Sequence, residues 1–210
     1  MASEQSVQRA YDTVAATYAS TIPGLSAESP LEVAFLDRFA DEVVASGGRV
    51  ADVGCGPGRI TAYLASRGAN VFGLDLSPRM IEVATETYPD LLFEVGTMTS
   101  LPSGDGELAG VLAWYSTIHT PFDQLHAVFA EFARVLRPGG ALLIGRQIGS
   151  EVVHITRSYG EEVDVDLHLV PINEIADLLV TAGFVIDAVL GRAPVGREPR
   201  DQGFALAHRA

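Results

Sequence analysis

A chain of 210 residues, 48% hydrophobic and 20% charged, has the make-up of one ordinary globular unit with a substantial core. Acids outnumber Lys and Arg by 27 to 14, no lysine is present, and a formal charge of −13 argues against a nucleic-acid partner. No apolar run nears the roughly 18 residues that span a bilayer, and the single Cys55 excludes an intrachain disulfide.

The opening MASEQSVQRAYD lacks the apolar core of a signal peptide, so a cytoplasmic location is expected. Residues 7–20 combine helix formers with Tyr11 and Tyr18, seven apart and on one helical face. TIPGLSAESP, with two prolines and a glycine, reads as a loop. Residues 30–48 read as an amphipathic helix: Val33, Phe35, Leu36, Phe39, Val43 and Val44 mostly share a face, and Gly47 stops it. From residue 49 strands and helices alternate. RVADV is a strand and GRITAYLASRG a helix; NVFGLD is a strand and SPRMIEVATETY a helix with Ser77 as N-cap. LLFEV and LAGVLAWY are strands, TPFDQLHAVFAEFARVL a helix, GALLIGRQIG a strand. INEIADLLVTAG is a helix, followed by strands FVIDAVLG and QGFALAHR. EVDVDLHLVP alternates, but its acids suit only an edge or a surface ribbon. The expectation is an α/β fold: a doubly wound, mostly parallel seven-stranded sheet with helices on both faces and the last strand antiparallel, Rossmann-like. Residues 1–48 are expected to be lid helices packed on a core formed by 49–210.

The stretch ADVGCGPGRI places Gly54, Gly56 and Gly58 where the first strand ends. In parallel sheets ligands bind at the strands' carboxyl ends. Glycines there bring the backbone close to a ligand, and the next helix offers unpaired N–H groups. The dinucleotide spacing G-x-G-x-x-G needs its third glycine at position 59, which is Arg59. The second strand ends in Asp75, a carboxylate able to accept both hydroxyls of a ribose. Turn and acid together suggest a nucleoside without a pyrophosphate site. Asp75 also has a plain reading as a cap for the helix that follows.

VADVGCGPGRI, VFGLDLSPRMIEVA, GTMTSLP, GVLAWYSTIH and LRPGGALLIG, in that order, resemble the class I S-adenosylmethionine-dependent methyltransferases, especially those acting on small molecules. The resemblance runs over about residues 7–208. It implies S-adenosylmethionine as cofactor and methyl transfer to a small-molecule acceptor. It also implies roles. The backbone of Gly54, Cys55 and Gly56 approaches the methionyl part, with Asp52 organising that end. Cys55 is a small filler there, with no base to make it a nucleophile. Asp75 holds the ribose, and Leu76 and Met98 flank the adenine. The family usually has an acid at Thr97; its hydroxyl is the departure here. Trp114 and Tyr115 close over the methionyl group. Tyr11 and Tyr18 belong to a lid helix, or are plain core aromatics, and Arg59 either reaches the cofactor carboxylate or is solvated.

His119, after the fourth strand, is the positional candidate for a general base, needed only if the acceptor atom carries a proton of high pKa. Arg146, Tyr159 and His168 are expected in the acceptor pocket, with Arg146 pairing either an acceptor carboxylate or one of the chain's acids. No His and carboxylate pair shows metal-ligand spacing. AWYS replaces the Asn/Asp-Pro-Pro-aromatic segment of amino-methylating DNA enzymes, which with the acidic charge points to a small molecule and away from nucleic acid; the lack of a long apolar run sets the expectation of no membrane partner. Two other readings stay open: a protein that binds S-adenosylmethionine without transferring its methyl group, and a nicotinamide oxidoreductase, which Arg59 argues against. The acceptor's identity and the oligomeric state are open at this point.

Overall fold

The computed structural model describes residues 4–196 and 198–210; the first three residues of the expected lid segment lie outside them. The elements in chain order are α1 (Glu4–Thr21), α2 (Pro30–Ser46), β1 (Arg49–Val53), α3 (Arg59–Ser66), β2 (Asn70–Asp75) and α4 (Pro78–Thr87). They continue with β3 (Leu92–Val95), β4 (Leu108–Trp114), a 3-10 turn (Thr117–His119), α5 (Phe122–Val135), β5 (Leu136–Gln147), β6 (Val152–Ser158) and β7 (Glu161–His168). The last are α6 (Ile172–Thr181), β8 (Phe184–Arg192) and β9 (Gln202–Arg209). Seven strands form one sheet in the order β3-β2-β1-β4-β5-β9-β8, and β9 alone runs antiparallel to its neighbours. This is the expected doubly wound sheet. β6 and β7 form a separate antiparallel ribbon, so the acid-rich alternating segment is a surface ribbon.

β4 explains the topology from its composition. Every residue of LAGVLAW is buried, with Val111 and Ala113 facing one core and Leu112 and Trp114 the other. A strand covered on both faces has no polar side to present, which is why it reads as an unbroken apolar run. One core lies under α5 and α6, around Phe129, Phe132 and Leu179; the other lies under α2 and α3, around Phe39, Leu36 and Leu64. Each such fully buried side chain contributes about 1.5–3 kcal/mol.

The two N-terminal helices do different work. α2 covers the sheet through Leu36, Phe39, Ala40 and Val43, starts on a complete Ser29–Glu32 capping box, and is a core layer. α1 packs between α4 and the ribbon, through Val14, Ala15, Met80 and Val163. Asp12 of α1 accepts hydrogen bonds from the Ser77 hydroxyl (2.6 Å) and the Arg79 N–H (3.2 Å), so it caps α4 from outside. Among the described residues no helix is long and apolar enough to cross a membrane.

Candidate active site

Strand order reverses between β1 and β4, and a cavity of about 330 Å³ opens at the carboxyl ends of those strands. Its walls bring together Tyr11, Tyr18, Asp52, Gly54, Cys55, Gly56, Arg59, Asp75, Leu76, Thr97, Met98, Trp114, Tyr115 and His119, every residue expected there from sequence.

The glycine turn has two different reasons to be glycine. At Gly54, φ is +74° and a Cβ would lie 2.2 Å from the Cβ of Ser116. At Gly56, φ is +55° and a Cβ would meet nothing within 4 Å, so bare backbone faces open space. Gly54 is therefore a packing requirement, whereas Gly56 is required by its positive φ alone. Gly54→Ala is expected to lower unfolding free energy by about 3 kcal/mol, and Gly56→Ala by about 1 kcal/mol. Urea melts of both variants check this; equal losses would put the two glycines in one class.

Asp75 accepts from the Gly56 N–H and, through its other oxygen, from the Ser77 N–H, both at 2.8 Å. It thus pins the turn to the start of α4. Asp52 is buried and accepts from the Thr61 hydroxyl at 2.6 Å. Burial pushes its carboxyl up to about 6, against the pull of Thr61 and Arg59. A raised carboxyl favours the folded state below its unfolded pKa and loses that advantage as pH rises through 6. Asp52→Asn is therefore expected to be more stable than the parent above pH 6 by about 2–3 kcal/mol, the gap closing near pH 4. Thermal melts across pH check it; a gap that stays constant would refute the assignment. Burial also pushes the Cys55 thiol up, which keeps it a neutral filler.

The aromatic wall is held from behind by acids. Trp114 Nε1 donates to Glu28 at 3.2 Å, and Glu28 also pairs with Arg59 at 2.7 Å. Arg59 is thereby committed to Glu28 and to the Gly24 carbonyl, and is 9% exposed rather than solvated. Tyr115 has a φ of +57°, a costly conformation for a non-glycine residue, and its hydroxyl donates to buried Glu32 at 2.5 Å. Glu32 in turn pairs with Arg192 at 2.9 Å. Thr97, in place of the expected acid, donates its hydroxyl to Glu4 of α1 at 2.6 Å, and Glu4 lines the same cavity.

A second cavity, about 230 Å³, lies between α1, the ribbon and the end of β5. Tyr11 and His119 line both cavities. His119 Nδ1 sits 2.8 Å from the Asp166 carbonyl, which can only accept, so Nδ1 carries the proton. Nε2 then presents its lone pair and accepts from the Tyr11 hydroxyl at 2.8 Å. Burial, and the nearby His168, hold the imidazole below the usual histidine range, so it is neutral. Burial likewise pushes the Tyr11 phenol well up and keeps it a donor.

Of the expected acceptor-pocket residues, Tyr159 lines the second cavity, with φ +50° and its ring against Tyr18 at 4.8 Å. Arg146 and His168 must be corrected: neither lines either cavity. Arg146 is fully buried and donates to the His168 carbonyl at 2.6 Å, because the ribbon's end folds over the tip of β5. It pairs with no acid among the described residues. Sequence reasoning missed Glu4, Ser116, Gln147, Arg157 and Arg200. Only Glu4, seven residues before Tyr11 and so on the tyrosine face of the helix, carried a local signal.

Residues 50–140 match the model of a methyltransferase domain. A probable S-adenosylmethionine-dependent methyltransferase of Mycolicibacterium smegmatis is 32% identical over 81% of this chain and 65% of its own length. The O-methyltransferase cnsE of Penicillium expansum is 33% identical over 72% of this chain and 59% of its own. The chain spans about half the length of other curated methyltransferases it matches, 46% and 49% of two of them. The cyclase SpnF shares the fold, with a TM-score of 0.74, 19% identity, and 99% and 97% of the two chains covered.

Proposed function

Because the chain belongs to the class I S-adenosylmethionine-dependent methyltransferases, we propose that it moves a methyl group from S-adenosylmethionine to a hydroxyl of a small molecule. The first cavity suits the donor. Glu4, Asp52 and Asp75 line it, and they match a ligand whose sulfonium and ammonium are positive. The open space before Gly56 admits a ligand against bare backbone. Asp75 would hold the ribose, Leu76 and Met98 the adenine faces, and Glu4 would supply the acid that Thr97 lacks. When bound, S-adenosylmethionine supplies a methyl group already activated for in-line displacement.

The observation that carries the reading is the His119 lone pair on the wall shared by the two cavities. An acceptor in the second cavity would present its hydroxyl to Nε2 in place of Tyr11. His119 takes that proton as the acceptor oxygen gains the methyl group, and the Asp166 carbonyl steadies the imidazolium that forms. Alignment by the two cavities can itself contribute about 7–11 kcal/mol. The relative cnsE, an O-methyltransferase by name, supports an oxygen acceptor.

The test is calorimetric titration with S-adenosylmethionine and S-adenosylhomocysteine, then incubation with methyl-labelled donor and a library of phenols and alcohols. Binding of both nucleosides and label transfer to a hydroxyl are expected. Failure of both to bind, with tight binding of NAD instead, would end the reading.

A further inference from the structure

The two cavities have opposite electrostatic character. The first is lined by three carboxylates, and its one arginine is already paired. The second has no acid on its walls, although the chain carries 27 acids. It does have Arg157 and Arg200, and neither is in an ion pair among the described residues. The Arg157 guanidinium spends two bonds on the Gly160 carbonyl, at 3.0 and 3.3 Å, and meets no carboxylate.

The ribbon builds this asymmetry. Along β7 the side chains alternate: Val163, Val165 and Leu167 line the cavity, while Glu162, Asp164 and Asp166 do not. Asp164 and Asp166 are turned instead to His154 on β6. Much of the remaining wall is apolar, through Ala10, Val14, Ile118 and Ile155, beside the polar Ser158, Tyr159 and Gln147. A third arginine adds to the field. Arg146, fully buried, flanks the wall residue Gln147 and donates to His168, the neighbour of Leu167. Its Nη1 has no partner among the described residues, nor does the Gln147 amide oxygen. A buried guanidinium without a carboxylate is costly unless something negative offsets it.

From these observations, and resting on the donor-and-acceptor reading above, we infer that the second cavity takes an organic anion: an apolar body whose carboxylate or phosphate group is held by Arg157 and Arg200. The guanidinium fork suits either group bidentately. The acceptor is thus a hydroxy acid or its phosphate counterpart, with its hydroxyl toward His119.

The test is binding, measured by calorimetry with S-adenosylhomocysteine present. The probes are para-hydroxybenzoate, salicylate, mandelate and para-hydroxyphenyl phosphate, each against a neutral partner: para-hydroxybenzamide, salicylamide, mandelamide and hydroquinone. At least one anion is expected to bind about tenfold or more tightly than its neutral partner, with affinity falling as salt is raised. The carboxylate and phosphate arms identify which anion is preferred. In Arg157→Gln and Arg200→Gln the preference should disappear while S-adenosylhomocysteine affinity stays within about twofold, since neither residue lines the first cavity. Neutral partners binding as well as the anions, or no anion binding at all, would overturn the inference. The same titrations without the nucleoside separate the two failures: anion binding that persists when S-adenosylhomocysteine does not bind keeps this site and sinks the donor assignment.

Discussion

Replacing His119 by Ala should lower kcat by about 10²–10⁴-fold, the usual loss when a positioned general base is removed. Affinity for S-adenosylhomocysteine should change little, because the contacts proposed for the nucleoside lie on the glycine turn and at Asp75. The pH profile gives a signature that a purely structural role would not. As the proposed base, His119 would work in its neutral form, and burial holds it below the usual histidine value of 6.5. The rate should therefore rise with pH on an acid limb lying below 6.5 and be flat at neutral pH. The groups that face the imidazole are the Tyr11 hydroxyl from α1, the Asp166 carbonyl from β7 and His168. Tyr11 stays protonated across this range, while Asp52 in the first cavity is pushed up to about 6, so the limb belongs to His119 if it persists in Asp52→Asn. A variant that keeps full activity on a hydroxyl acceptor would remove the imidazole from the mechanism.

Asp75→Ala should weaken S-adenosylhomocysteine binding by about a hundredfold, since charge-assisted hydrogen bonds to a ribose are worth roughly 1.5–3 kcal/mol each. It should also destabilise the protein. From sequence alone the fold would be expected to survive this change untouched, but Asp75 already accepts from the Gly56 and Ser77 N–H groups. Removing the carboxylate frees the glycine turn from the start of α4 as well as losing the ribose. Asp75→Asn separates the two effects. Its amide oxygen can keep one backbone bond, so melting temperature should largely recover while affinity remains reduced. Calorimetric affinity unchanged in both variants would show that Asp75 is only a structural cap.

The legibility of this protein in its sequence follows the range of the interactions involved. β1, β2 and β4 are readable because each is a short apolar run whose next residues must turn, and the glycine turn falls at the carboxyl end of β1 by necessity. Asp75 is legible for the same reason: it ends β2, the strand beside β1. α1 and α2 are also readable as helices, yet only their packing shows that α2 covers the sheet and α1 overlies the cavities. The second cavity was not legible. Its walls come from α1, the 3-10 turn, β5, the ribbon and Arg200, segments whose meeting depends on where the ribbon docks. Arg146 illustrates the loss. Its place at the end of β5 suggests an open pocket, but a carbonyl from β7, 22 residues later, covers it. Thr97 shows the reverse case: where one motif lacks an acid, its hydroxyl meets Glu4, which lies 93 positions away.

The phenol of Tyr11 on the imidazole has a bearing on selectivity. If His119 is the base proposed, a guest must evict a neutral hydroxyl already seated at 2.8 Å before it can surrender its own proton. Stray water gains nothing by the exchange, being no better a donor and lacking anchorage elsewhere. On the proposed reading only a molecule gripped at its far end would complete it, and a charged donor next door would be spared wasteful solvolysis until the proper companion arrived.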